Sequence, residues 1–234
     1  MLNNQVAFRR IAAGTLLVVA PLLQAVAVCL DPGTWGDDRE AVSFAANPAL
    51  AQAQSALYHW SWLLMAVAAF GLIHLTRRRA TVAGHLIGAI TIAGYISLSG
   101  LLLIDPVEWW LGRHHSPEQA QKILDEMLGL PTVIFSFQMP WMFFAIGGLP
   151  LLLCAVWRAG FVHWWVPLTV AIGYVASMPV PYGPATVAFW ALPVVALGHT
   201  GIRILRMGDD AWAAYYPMVA PGRTTPDSYA NTTA

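Results

Sequence analysis

Long apolar stretches alternate with short polar segments along the whole chain of 234 residues. Because an α-helix needs about 20 apolar residues to cross the hydrocarbon core of a bilayer, each stretch predicts a transmembrane helix. The predicted spans are about 8–30, 57–75, 81–104, 131–157, 161–178 and 185–205. We therefore expect an all-α membrane protein with a six-helix domain over residues 1–206. The polar, proline-interrupted segment 207–234 is typical of a flexible tail.

Two of the polar connections contain signals for the start of a helix. Asn47 followed by Pro48 predicts an N-cap and a first helical position, so that this helix runs directly into the second span. Ser116 followed three residues later by Gln119 predicts a capping box, and apolar positions then recur at helical spacing over 117–128. We expect short amphipathic helices here, the second lying on the outer membrane interface.

The composition excludes several classes of protein. Hydrophobic residues make up 58% of the chain and Asp, Glu, Lys and Arg only 10%, whereas an average soluble domain is about 25% charged. A soluble enzyme of this composition would have too few polar residues to cover its surface. A nucleic-acid-binding protein is excluded as well, because it would need a basic face and the formal net charge is +0.

The neutral total conceals a strong asymmetry between the two sides of the membrane. With the N-terminus in the cytoplasm, the inner segments contain nine cations and three acids, and the outer segments contain three cations and nine acids. Lys and Arg concentrate in cytoplasmic loops, so we expect both termini in the cytoplasm. The chain has one Lys against eleven Arg, a bias common in bacteria with GC-rich genomes, which favours a bacterial plasma membrane.

An acidic pair lies at the outer end of the third span. On a helix, Asp105 and Glu108 would share a face, and each carboxyl group would raise the pKa of the other, as general acid–base chemistry requires. With His114 close in sequence, the pair is the candidate catalytic set of a lipid-modifying enzyme. The alternative is structural, since Asp at an N-cap, Pro106 at the first helical position and Glu at the third form a capping arrangement.

Three histidines lie near the inner ends of their spans. The 1.5 Å rise per residue places His74, His85 and His199 within about one helical turn of the same depth. Facing imidazoles can be the axial ligands of haem b, so haem b is a candidate cofactor and a redox protein a candidate function. The alternatives are imidazoles bonded to carbonyls or headgroups, and a proton path. Depth also excludes a dyad of Ser99 with His199, which would be about 15 Å apart along the membrane normal.

Proline and glycine divide the spans into two groups. Proline kinks a helix by removing a backbone donor, and it interrupts the first, fourth, fifth and sixth spans but not the second and third. The interior prolines are Pro21, Pro140, Pro150, Pro167 and Pro193. Gly84 and Gly88 in the third span have the small-x-x-x-small spacing of close helix contacts, so we expect the second and third spans to form a tight pair.

The kinked helices predict a cavity that opens to the outer side. Ser136 and Gln138 are the candidate polar residues of this cavity, because they lie just before a proline. The candidate aromatic residues of the ligand site are Trp141, Trp109 and Trp110. The alternative is that tryptophans form aromatic belts at the two membrane interfaces.

Two functions remain open from the sequence. The first is binding or transport of a small amphiphilic molecule or lipid in the outward-facing cavity, and the second is one of the two kinds of membrane enzyme described above. We favour the first, because each candidate catalytic or ligand set also has an ordinary structural interpretation. The candidate partners are membrane lipid, the amphiphilic ligand and a second copy of the chain, and nucleic acid is excluded. No metal site is expected, because the adjacent His114 and His115 lack the i, i+4 spacing of a metal-binding helix.

Overall fold

The computed structural model describes residues 5–35, 44–178 and 183–215. Within these ranges all regular structure is helical and there is no strand, which confirms the all-α prediction. The helices, numbered in chain order, are α1 Gln5–Leu30, α2 Pro32–Trp35, α3 Pro48–Thr76, α4 Thr81–Leu101, α5 Ile104–His114, α6 Pro117–Leu128, α7 Pro131–Arg158, α8 Trp165–Ser177, α9 Pro184–Leu205 and α10 Asp209–Ala213.

Five helices are long and apolar enough to cross a membrane. They are Gln5–Leu30, Pro48–Thr76, Thr81–His114, Pro131–Arg158 and Pro184–Leu205. The third of these joins α4 and α5 with a short interruption at 102–103, so it extends beyond the predicted span. The predicted span 161–178 contains α8, which has 13 residues and a length of about 20 Å. The structure thus establishes a multi-pass helical membrane protein with five long apolar helices.

Six helices form a closed ring in chain order. α1 packs against α3, α3 against α4, α4 against α7, α7 against α8, α8 against α9, and α9 back against α1. α3 also contacts α7 across the ring. Side chains from all around the ring are fully buried in one core, among them Leu17, Met65, Leu149 and Leu197.

Small residues allow α4 to approach both of its neighbours closely. A Cβ atom added at Gly84 would overlap the side chain of Thr76, and one added at Gly88 would overlap Ile73, so the predicted tight pair of α3 and α4 is confirmed. Gly94 faces α7, the neighbour of α4 on the other side. A Cβ atom there would overlap the backbone nitrogen of Ala145 and lie 2.7 Å from the carbonyl carbon of Phe144. The backbones of α4 and α7 are therefore almost in contact.

The helix α7 is widened on both sides of the junction between Met139 and Pro140. Ile134–Gln138 and Pro140–Ile146 are π-helical, and the N–H of Met139 donates to the carbonyl of Ile134, five residues earlier. Pro140 has no N–H to donate, and its ring crowds the preceding turn, which a wider turn relieves. Rare π-helical turns interrupt α-helices in this way. The predicted irregularity of the fourth span is therefore present, whereas Pro21 and Pro193 lie inside continuous helices.

The connections that the sequence assigns to the outer side contain the predicted short helices. Ser116 and Gln119 form the predicted capping box at the start of α6, and Ala120 and Leu124 of α6 pack against Leu111 of α5. Asn47 occupies the N-cap of α3 as predicted, without a side-chain capping bond. α3 then continues unbroken to Thr76.

The first part of the predicted tail is folded. α10 follows α9 after a short turn, and Trp212 is only 2% exposed. Arg10 holds this segment through its Nε, 2.9 Å from Oδ1 of Asp209, and through its Nη1, 2.8 Å from the carbonyl oxygen of Leu205. The rest of the predicted tail, 216–234, lies outside the described residues.

Candidate functional site

A cavity of about 560 Å³ lies where α3, α4 and α5 meet, at the end of the bundle that the sequence assigns to the outer side. We call it the outer cavity. Its polar walls are Gln52, Ser55, His59, Ser99 and Asp105, and its aromatic walls are Trp60 and Trp109. No Arg or Lys is among the described residues that line it.

The helix α5 buries the acidic pair on one face. Asp105 is 7% exposed and Glu108 is 8% exposed, as expected for positions three residues apart on a helix. The capping interpretation of the pair is wrong. The helix begins at Ile104 with Leu103 as its N-cap, so Asp105 already lies in the first turn, and no side chain caps this helix end.

One oxygen of Asp105 is buried without a partner. The hydroxyl group of Ser55 bonds to the carboxyl group, but Oδ2 has no hydrogen-bond partner among the described residues. The neighbouring carboxyl group of Asp31 is near enough for the two charges to repel each other. A buried carboxylate without full hydrogen bonding is costly, so the site favours a group that brings a donor or a positive charge.

Asp31 is a buried acid that the sequence analysis did not select. It lies just after α1 and is 3% exposed. Gly33 donates its N–H to Oδ1 at 2.8 Å, and Gln54 donates Nε2–H to Oδ2 at 3.4 Å. Burial raises the pKa of Asp31, and these hydrogen bonds oppose the rise only in part. The available sequence signal was an acid directly after an apolar span and before a Pro-Gly turn, but it also fits an ordinary loop.

His59 and Ser99 meet at the wall of the outer cavity. Oγ of Ser99 lies 2.9 Å from Nδ1 of His59. The sequence analysis excluded a pair of Ser99 with His199 by depth and overlooked His59, which α3 brings to the same level. Ser99 lies near the carboxyl end of α4, where the helix dipole is negative and backbone N–H groups are already used. This position disfavours oxyanion stabilisation, and both residues are polar members of the cavity lining.

His114 does not join the buried acids. It is exposed, its Nδ1 lies 2.7 Å from the carbonyl oxygen of Trp110, and the two rings stack at 4.5 Å. Trp110 is exposed as well. Trp109 does line the outer cavity, and the guanidinium group of Arg113 lies 5.6 Å from the centre of its ring.

The other predicted ligand residues are distributed over different places. Ser136 is exposed, and Gln138 donates its Nε2–H to the carbonyl of Leu128 at 3.0 Å. Trp141 lines a separate cavity of about 420 Å³ between α3, α7, α8 and α9, together with Tyr58 and Trp190. Of the five predicted residues, therefore, only Trp109 lines the outer cavity, and their role in ligand binding stays a prediction.

An aromatic cluster that the sequence analysis missed packs behind the separate cavity. Trp62 contacts Tyr95, Tyr174 and Trp190, with ring centres 5.5 to 6.0 Å apart. The hydroxyl group of Tyr174 donates to Oε1 of Gln24 at 2.9 Å. These residues are spread over five helices, so no local sequence pattern could have grouped them.

The three inner histidines are not brought together. His74 and His85 line one cavity of about 690 Å³, which we call the inner cavity, whereas His199 packs on Trp165 with ring centres 5.2 Å apart. His74 donates Nε2–H to the carbonyl of Trp212 at 2.9 Å and stacks on its ring. With Nε2 used in this bond, the other ring nitrogen of His74 is Nδ1. Haem b stays a prediction.

The fold and the site define a multi-pass all-α membrane protein with cavities at both ends of the bundle. No protein-family model, no curated protein and no solved structure matches the chain. The function must therefore be argued from the residues that surround the cavities.

Proposed function

We propose that the outer cavity binds a small amphiphile whose head carries a positive charge or hydrogen-bond donors, as the binding step of a transport or lipid-binding protein. The protein has six spans in this proposal, with both termini in the cytoplasm of a bacterium. α8 and its flanking residues form the fifth span.

The ends of the helices support this topology. Arg9 at the start of α1, Arg77 at the end of α3 and His85 near the start of α4 line one cavity. Arg203 at the end of α9 lies over the ring of Phe161, just after α7, at 4.8 Å. The starts and ends of successive helices therefore alternate between two ends of the ring. Since Arg concentrates in cytoplasmic segments, the arginine-rich end is the inner one.

The unpartnered oxygen of Asp105 is the observation on which the proposed ligand rests. It is buried in the wall of the outer cavity without a donor among the described residues. An ammonium group would supply both the missing hydrogen bond and the opposite charge, and such charge-assisted bonds are stronger than neutral ones. An anionic head would instead be repelled by Asp105 and Asp31.

The apolar walls provide room for the remainder of an amphiphile. Leu102, Leu103, Trp60 and Trp109 line the cavity beside the polar groups. Leu103 is 73% exposed, so the cavity opens past it toward the lipid-facing surface. An alkyl chain could leave by this side while the head stays at Asp105.

A lipid-modifying enzyme is the second candidate, and the burial of Asp105 beside Glu108 favours it. Two adjacent carboxyl groups can differ in protonation and act as acid and base. In this case His114 takes no part, because it lies on the exposed side of α5. The two functions differ in whether the bound amphiphile is recovered unchanged.

Thermal unfolding of the purified protein in a mild non-ionic detergent tests the proposal with dodecylamine as the probe. Dodecylamine should raise the Tm of the wild type in a concentration-dependent way, and dodecyl sulfate should not. Asp105→Asn should abolish the increase. Glu126→Gln is the matched control, because Glu126 is an exposed acid of α6 outside the cavity.

Equal effects of dodecylamine on the wild type and on Asp105→Asn would refute the proposed site. A similar loss of effect in Glu126→Gln would show that only the general surface charge attracts the amine. Mass spectrometry of the recovered probe and of co-purified lipid distinguishes the two functions, since an enzyme would release a modified product.

A further inference from the structure

The inner cavity lies at the opposite end of the bundle from the outer cavity. It has a volume of about 690 Å³ and is formed by α1, α3 and α4, with Trp212 of α10 among its walls. Phe8 and Phe70 line it and are 55% and 62% exposed. It therefore opens sideways, toward the surface that faces lipid.

The charged end of the inner cavity is basic. Arg9 comes from α1, Arg77 follows α3, and His85 comes from α4. None of the described residues in its lining is acidic. Asp209, the nearby acid on α10, is paired with Arg10 at 2.9 Å. The lining thus has a net positive charge at the level where phospholipid headgroups lie.

The apolar end lies at one common depth. Leu16, Phe70 and Ile92 line the cavity, each seven residues from the basic residue of its own segment. Seven residues are two helical turns, or about 10 Å along the axis. The cavity is therefore graded on all three sides, from basic side chains at the membrane surface to apolar side chains inside the bilayer.

We propose that the inner cavity is a binding site for an anionic glycerophospholipid. The phosphate group lies between Arg77, Arg9 and His85, and one acyl chain follows Leu16, Phe70 and Ile92. Guanidinium groups match the geometry of phosphate oxygens, and basic pockets between transmembrane helices bind anionic headgroups. The apolar depth selects a lipid over a free phosphate ion, which has no chain to fill it.

Lipid binding leaves the contacts of His74 intact. Its Nε2 stays bonded to the Trp212 carbonyl and its ring stays stacked at 4.2 Å. The lipid is also independent of any ligand of the outer cavity, because the two cavities share no residue.

Native mass spectrometry of the purified full chain tests the inner site. The protein is delipidated and titrated with phosphatidylglycerol or with phosphatidylcholine of the same acyl chains. Phosphatidylglycerol should bind more tightly, and Arg77→Gln should weaken it about five-fold, as expected for one basic residue at a membrane surface. Arg79→Gln is the matched control, because Arg79 is exposed in the same loop and does not line the cavity.

A second pair of variants tests the chain-binding part without changing charge. Ala89 of α4 lines the cavity and is exposed, whereas Ala83 of the same helix is exposed and does not line it. Ala89→Phe should reduce binding of phosphatidylglycerol several-fold by filling the cavity, and Ala83→Phe should not. Both variants should keep the wild-type Tm in the absence of added lipid.

Three results would overturn the lipid site. Equal affinity for phosphatidylglycerol and phosphatidylcholine would show that the basic residues of the cavity do not select an anionic headgroup. An equal loss of binding in Arg79→Gln would show that the lipid is attracted by the general positive charge of the loop and not by the cavity. Full displacement of the lipid by millimolar inorganic phosphate, with Ala89→Phe unaffected, would show an anion site that does not hold an acyl chain.

Discussion

The contact of α4 with α7 at Gly94 predicts the effect of adding one methyl group. In Gly94→Ala the new Cβ atom would overlap the backbone nitrogen of Ala145 and lie 2.7 Å from a backbone carbon of Phe144. A side chain can rotate away from such an overlap, but a helix backbone can only move as a whole. We therefore expect the upper part of the range for overpacked cores, about 3 kcal/mol.

Substitutions at two other glycines separate the steric cost of the new Cβ atom from the gain in intrinsic helix stability. Replacing Gly by Ala inside a helix gains about 1 kcal/mol of intrinsic helix stability, so Gly94→Ala should lose about 2 kcal/mol net. At Gly198 a Cβ atom meets nothing within 4 Å, so Gly198→Ala should be neutral or gain up to about 1 kcal/mol. At Gly88 the obstacle is the side chain of Ile73, so the change in stability of Gly88→Ala should lie between those of Gly94→Ala and Gly198→Ala.

Thermal unfolding followed by circular dichroism in detergent measures this order. About 2 kcal/mol corresponds to a decrease in Tm of roughly 4–8 °C for a chain of this size, against an unchanged or slightly raised Tm for Gly198→Ala. Equal Tm values for Gly94→Ala and Gly198→Ala would refute the close backbone contact. A larger loss at Gly88 than at Gly94 would contradict the distinction between side-chain and backbone obstacles.

Two further predictions concern the ends of the bundle. Burial raises the pKa of Asp31 above 3.8, so its contribution to stability is complete below 3.8 and is lost as the pH rises through the folded-state value. Asp31→Asn should therefore remove part of the decrease in Tm as the pH rises above about 4. In this variant the side-chain amide of Gln54, which now donates to Asp31, turns so that its Oε1 accepts from the new Nδ2. A steeper decrease in the variant would contradict this. Trp212→Ala should lower the free energy of unfolding by about 3–5 kcal/mol and expose the segment after Leu205 to limited proteolysis. Trp212→Phe keeps an aromatic ring on His74, so this variant should stay resistant to the protease. Equal cleavage of both variants would show that the ring does not anchor this segment.

The sequence was most informative about the helices themselves. Apolar stretches of about 20 residues have one stable arrangement in a bilayer, because every backbone group must be bonded within the segment. The five long helices and the capping box at Ser116 follow from that local physics. The pair of α3 and α4 was also predictable, since Gly84 and Gly88 recur at the spacing of one helix face.

The outer cavity was predictable only in part. The periodicity of α5 placed Asp105 and Glu108 on one face of the helix. It did not show whether the two side chains are buried or cap the start of the helix. The difference depends on a helix start two residues earlier, at Ile104 instead of Pro106, and helix ends are the least certain feature of a sequence pattern. His59 and Ser99 are 40 positions apart, so only the pairing of α3 with α4 could bring them together.

The burial of acids at the outer end argues for a ligand on energetic grounds. A helix start at Asp105 would have explained the residue by capping, but no capping bond is present. Exposed acids remain hydrated, as Asp125 and Glu126 do on α6, whereas Asp31, Asp105 and Glu108 are each less than one tenth exposed. Among these acids, Asp105 has an oxygen without a hydrogen-bond partner in the described part of the chain, and burying a polar group without a partner lowers stability. An apolar residue of similar volume would avoid that loss, so the presence of an acid at this position supports the proposed binding of a cationic or hydrogen-bond-donating head in the outer cavity.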